Sequence, residues 1–68
     1  MTKGRKALLD WHKKTGMPCA EAARRAGISL DAWYAWTSGR KRPDLASAAA
    51  VQRLTEIPME AWLVDAED

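Results

Sequence analysis

Gly27 separates two short segments that both read as helix, and this spacing constrains the fold more than any other feature of the chain. Cys19 to Ala26 is alanine-rich, and a glycine at its end admits the left-handed backbone that terminates a helix. Ser29 follows where its hydroxyl can accept an early backbone N–H, so the next helix is expected to begin near Leu30 and to run to Thr37 or Ser38. Two helices this short cross steeply only if small side chains face each other where the backbones approach, and Ala22, Ala23 and Ala26 meet that need. In the second of the pair, Trp33 and Trp36 lie three apart on the side expected to be buried, with Tyr34 and Ala35 opposite.

The rest of the chain also reads as helix. No alternating run of β-branched residues occurs, so strand signals are nearly absent and the expected class is all-α with five helices. The first is expected over Lys3 to Lys14, with Leu8, Trp11 and Thr15 on one side and Gly16 ending it. Pro18 and Glu21 suit the start of the second. Gly39 ends the third, and Arg40-Lys41-Arg42 then forms a basic loop halted by Pro43. The fourth is expected over Asp44 to Glu56, with Ala48, Val51 and Leu54 inward and Gln52, Arg53 and Glu56 outward. Pro58 opens a short fifth helix carrying Met59, Trp62 and Leu63, and Asp65 to Asp68 reads as a frayed acidic tail.

With 68 residues there is room for one domain, spanning 1–68 and of marginal stability. The single cysteine, Cys19, excludes an intramolecular disulfide, which leaves tight helix packing and self-association as supports and favours a weak homodimer. No stretch approaches the roughly 20 apolar residues that cross a bilayer, so the expectation is a soluble cytoplasmic protein with no membrane partner. The net charge of +2 conceals a strong polarity. Residues 1–42 carry ten Lys or Arg against three acids, a balance of +7, whereas residues 43–68 carry Arg53 against six acids, a balance of −5. Such a chain can turn one end toward a polyanion while the other is repelled, although a solvated surface of mixed charge explains the same counts equally well.

Counted from Cys19 as first, Ala23 is fifth, Gly27 ninth, Ile28 tenth, Trp33 fifteenth and Trp36 eighteenth, with Ala22 and Ala26 completing the inward set. This pattern resembles the Cro and repressor helix-turn-helix family of lambdoid phages, whose motif has a small residue at the fifth place, glycine at the ninth and apolar residues at the others. Gly39, the loop ending in Arg42-Pro43 and the closing Ile57-Pro58-Met59-Glu60-Ala61-Trp62-Leu63 extend the likeness over about Arg5 to Leu63. The resemblance implies a five-helix DNA-binding domain and a transcriptional repressor that binds a palindromic operator in double-stranded DNA as a dimer.

The resemblance further implies that the helix from Leu30 lies in the major groove with Leu30, Asp31, Tyr34, Ala35 and Ser38 toward the base edges. Leu30 and Ala35 suit thymine methyls, and Tyr34 suits a base or a phosphate. Asp31 suits a cytosine amino group, but a carboxylate in the first turn more often stabilises the helix end. Arg40, Lys41 and Arg42, the N–H groups near Cys19 and the Ser29 hydroxyl are the implied phosphate contacts. Arg24 and Arg25 lie on different azimuths, so only one of them is expected to face the duplex. Pro58, Met59, Trp62 and Leu63 are the candidate dimer surface.

Four tryptophans raise base stacking in a single-stranded nucleic-acid binder as an alternative, but their spacing favours core. Many members of the family join an arginine on the first helix to a glutamate late in the recognition helix. The matching positions here are His12 and Thr37, so a His12–Thr37 hydrogen bond is the expected substitute. No second ligand stands near the sole histidine, and no nucleophile has a base beside it, so no metal, cofactor, small-molecule ligand or enzymatic activity is expected. A protein-interaction module on the same fold, such as an antitoxin, is the other reading that the polar-poor recognition helix leaves open.

Overall fold

The computed structural model describes residues 1–66; Glu67 and Asp68, the end of the acidic tail, lie outside the described residues. The described chain is helical throughout: α1 Lys3–Thr15, α2 Cys19–Ala26, α3 Leu30–Ser38, α4 Leu45–Thr55 and a 3-10 helix over Met59–Leu63. The expected five α-helices are therefore four. Between Pro58, whose backbone is extended, and Val64, which is extended again, only five residues remain, and so short a piece adopts the tighter i→i+3 winding.

Local chemistry sets most boundaries. Thr2 caps α1 by accepting from Arg5 N at 3.1 Å, Ser29 caps α3 through Ala32 N at 3.2 Å, and Asp44 caps α4 through Ser47 N at 2.8 Å. Asp44 and Glu56 are thus the caps of α4 and not its end residues, one position outward at each end. The turn after α2 is a Schellman closure: Ile28 N bonds Ala23 O at 2.8 Å, Gly27 N bonds Arg24 O at 3.2 Å, and Gly27 has φ +72°. This closure fixes the direction in which α3 departs from α2. Glu56 supplies the same left-handed step after α4 with φ +66°, although its Cβ makes that conformation unfavourable.

Leu8, Trp33 and Val51 are fully buried at the centre, surrounded by Ala22, Ala23, Ala35, Trp36, Ala48, Ile57 and Trp62. α1 lies against the 3-10 helix and α3, while α2 lies against α3 and α4. Thr15, expected on the inward side of α1, is exposed; its hydroxyl donates to Trp11 O at 2.8 Å and accepts from Met17 N, closing the helix end instead. Gly4, which no local pattern singles out, is buried against Trp62, and a Cβ there would overlap the indole ring. The Trp62 Nε1–H has no hydrogen-bond partner among the described residues, a desolvation cost of about 1–3 kcal/mol that burial of the ring must outweigh.

Asp65 and Ala66 are not frayed. Lys3 N bonds Val64 O at 2.7 Å and Ala66 N bonds Met1 O at 2.8 Å, so the two ends of the described chain pair antiparallel through a Thr2–Asp65 bridge. No helix among the described residues is long and apolar enough to cross a membrane.

Candidate nucleic-acid interface

At 3.6 residues per turn, Leu30, Tyr34, Ser38 and Asp31 fall within an arc of about 100° on α3. All four are exposed, Tyr34 to 47% and Leu30 to 38%. Trp33 and Trp36 lie on the far side and are buried, with ring centroids 5.7 Å apart. Ala35 departs from expectation: it is only 6% exposed. The basic loop folds back over it, held by Lys41 N on Ala35 O at 3.2 Å, and Ala35 becomes the floor of a cleft walled by Asp31, Trp36, Arg40 and Lys41. A methyl on that floor is not presented as a side chain on the outer arc is, so the outward set is Leu30, Asp31, Tyr34 and Ser38.

Ser38 also has a second task. Its hydroxyl donates to Ala35 O at 3.2 Å and accepts from Arg40 Nε at 3.3 Å, which steadies Arg40 beside the cleft. Arg40, Lys41 and Arg42 are all exposed, and none has a carboxylate within ion-pair distance among the described residues. Arg42 Nη1 makes one long bond, 3.4 Å, to Trp62 O. The next residue but one, Asp44, is held below the usual carboxylate range by the Ser47 backbone N–H and then by the Ser47 side chain, so it caps α4 as an anion.

Cys19 opens α2 after Pro18, which offers no side-chain cap, so the first backbone N–H groups of this helix have no capping oxygen. The Cys19 thiol itself is half-buried, 3.9 Å from His12 Nε2. Ser29 is exposed, and its oxygen is already an acceptor for Ala32 N, leaving the O–H as a donor. The ambiguity between Arg24 and Arg25 narrows. Arg25 makes the one ion pair among the described residues, with Glu21 at 3.0 Å, whereas Arg24 is exposed and unpaired.

His12 does not reach Thr37. Its Nε2 meets Trp33 Nε1 at 2.8 Å and its Nδ1 meets Met17 O at 2.7 Å. An indole N–H can only donate and a carbonyl can only accept, so the ring is the neutral Nδ1–H tautomer. Thr37 instead closes locally, its hydroxyl donating to Tyr34 O at 3.1 Å, and its carbonyl accepts from Arg5 Nε at 2.8 Å. The link from α1 to the end of α3 therefore runs through Arg5, one guanidinium to one backbone oxygen. Nothing local marks Arg5, because its partner lies 32 residues away.

On the opposite flank, Pro58 and Leu63 are exposed and Met59 is half-buried. Trp62 is 2% exposed beneath Gly4, so it belongs to the core and shows only an edge at the surface. Nearby, Leu45, exposed to 76%, borders with Leu63, at 77%, a groove lined also by Pro43, Ala48, Met59 and Trp62 and by the acids Asp44 and Glu60. Among the described residues no three His, Cys, Asp or Glu side chains stand close enough to hold a metal ion. No family model, curated protein or solved structure matches the chain.

Proposed function

We propose that the chain is a sequence-specific double-stranded DNA-binding regulator in which α2 and α3 act as a helix-turn-helix, after the manner of Cro-type repressors. One observation carries this reading. α3 turns its tryptophans inward and Leu30, Asp31, Tyr34 and Ser38 outward, and it is followed at once by three exposed cations that have no carboxylate partner among the described residues. A helix presenting an uncovered arc fits the major groove, and cations flanking its end fit the phosphates that border it. Leu30 and Tyr34 read base edges, Arg40, Lys41 and Arg42 neutralise phosphates, and the uncapped N–H groups at Cys19 together with Ser29 hold the neighbouring strand. Asp31 serves chiefly to stabilise the start of α3.

The protein works as a weak dimer on a palindromic operator, with half-sites about one helical turn, roughly 34 Å, apart. Pro58, Met59 and Leu63, joined by Leu45, form the self-association surface. The groove beside Leu45 and Leu63 also supports the second reading, an interaction module such as an antitoxin, in which an apolar partner takes this surface.

Selection of bound duplexes from a random pool tests the proposal. A palindromic consensus is expected, and failure to enrich any sequence refutes it. Six phosphate contacts per dimer predict an affinity loss of about 10³-fold between 50 and 200 mM salt, whereas an apolar partner interface responds little. Arg40→Ala is expected to weaken all duplexes alike and Tyr34→Ala to change preference at particular bases; swapped outcomes refute the division of roles.

A further inference from the structure

The loop after α3 has two faces. Arg40 stands beside the cleft floored by Ala35, whereas Arg42 lines a separate pocket of about 440 Å³ on the other side, and Lys41 borders both. That second pocket is also lined by Arg5 from α1, by Gly39, by Trp62 and by Asp65. Three cations thus converge from two parts of the chain, with Asp65 the one carboxylate in the wall. None of the three is within ion-pair distance of it or of any other acid among the described residues. Their donors are largely unspent. Arg5 uses Nε on Thr37 O, which leaves its four Nη hydrogens, Arg42 uses Nη1 on a 3.4 Å bond, and the Lys41 ammonium makes no bond among the described residues.

We infer that this pocket binds a phosphate group, seated on Arg5, Lys41 and Arg42. Three cations against the one carboxylate of Asp65 leave an excess of positive charge whose members repel one another, and an anionic ligand that offsets the excess is favoured on that ground. Two planar forks and one ammonium match the tetrahedral oxygens of a phosphate, which accepts from guanidinium in paired bonds. A cationic ligand is repelled, and an apolar one gains little from walls this polar. Gly39 contributes by having no side chain: a Cβ there would lie 3.0 Å from Arg5 Nη1 and crowd the guanidinium. Arg5 also makes the pocket consequential for α3. One guanidinium spans the ligand and the Thr37 carbonyl, so filling the pocket fastens the end of the helix that carries Tyr34 and Ser38.

The phosphate has two possible sources, a duplex backbone or a small free phosphate. In the first case the site rests on the duplex-binding reading above, and in the second it stands without it. Two measurements on the full chain separate them. In the first, inorganic phosphate is titrated at constant ionic strength into nitrogen-15-labelled protein. Shifts concentrated at Gly39, Lys41 and the Arg5 Nε–H are expected, and they should require at least about five times more phosphate in Arg5→Gln and in Lys41→Ala. Lys41→Ala keeps the test valid if loss of Arg5 loosens the fold, because that side chain is exposed and makes no hydrogen bond or ion pair among the described residues. In the second, the slope of log affinity for duplex DNA against log salt should become shallower by about 1 in each variant.

Phosphate-induced shifts without any duplex binding would support the pocket as a small-phosphate site while refuting the duplex reading. A changed slope in Arg5→Gln, the one of the two variants outside the basic loop, without free-phosphate shifts would support it as a seat for the backbone. Unchanged slopes together with no shift at the three named positions would overturn the pocket and, with it, the phosphate role given to Lys41, whereas the duplex reading as a whole stands or falls on the selection of bound duplexes.

Discussion

Replacing His12 by leucine should destabilise the fold through Trp33. The indole is fully buried, and its Nε1–H has one acceptor, His12 Nε2 at 2.8 Å. Leucine removes that acceptor without opening a large void, so the dominant cost is a buried donor left unpaired, about 1–3 kcal/mol. Loss of the bond to Met17 O adds less, because Met17 is only half-buried and water can replace the ring N–H. A chain of this length has a total stability of roughly 3–10 kcal/mol, at 0.05–0.15 kcal/mol per residue, so the loss is a large share. The single mutant mixes this effect with altered packing, and a double-mutant cycle with Trp33→Phe isolates it. Phenylalanine has no N–H, so once it is in place removal of His12 strands nothing. The two substitutions together should therefore cost about 1–2 kcal/mol less than the sum of each alone. Urea unfolding followed by far-ultraviolet circular dichroism at neutral pH measures all four proteins without relying on tryptophan emission. A coupling below about 0.3 kcal/mol would show that the bond contributes nothing beyond contact, and the assignment of His12 as acceptor would fail.

Glu56→Gly should stabilise by about 0.5–1 kcal/mol, because φ +66° is unfavourable for a residue with a Cβ. That gain corresponds to a rise of roughly 3–6 °C in Tm, and an unchanged or lower midpoint in thermal unfolding refutes it. Gly4→Ala should do the opposite. Alanine improves helix propensity by about 1 kcal/mol, but overlap with the Trp62 indole should outweigh it and leave a net loss of about 1–2 kcal/mol in urea unfolding; net stabilisation is the failing result. For Asp44, the bonds from Ser47 lower the folded-state value below the ordinary 3.8, so its contribution is present above 3.8 and lost as pH falls through the lower, folded value. Asp44→Asn retains a cap but does not titrate, so its stability difference from the wild type should be constant near neutrality and change only below pH 3.8. A difference that is flat down to strongly acidic pH would contradict the capping charge.

The elements visible in the sequence are those whose causes are local. Gly16, Gly27 and Gly39 end α1, α2 and α3, Ser29 begins α3, and the spacing of Trp33 and Trp36 identifies its inner side. What escaped detection depends on residues far apart. Periodicity places Ala35 opposite the core, but the loop five residues on covers it. Gly4 and Trp62 meet across 58 positions, and Arg5 and Thr37 across 32, with no repeating pattern to announce either contact. Trp62 was legible as a core residue and also as a surface candidate, and only the closeness of α1 decides between them. Glycine is the usual mark of a left-handed helix terminator, so nothing local points to Glu56 in that role.

The pairing of Met1–Lys3 with Val64–Ala66 has a consequence for how the molecule is made. On a ribosome, α1 emerges before Trp62 and has nothing to cover its Gly4 side until that residue has left the exit tunnel. Helices α2 to α4 close by local contacts beforehand, so the clasp between the two ends completes the structure after translation has passed it. A chain that stops a few residues short of Trp62 should leave the Gly4 side of α1 bare and open to proteases, although α3 still holds its other side through Trp33 and Thr37.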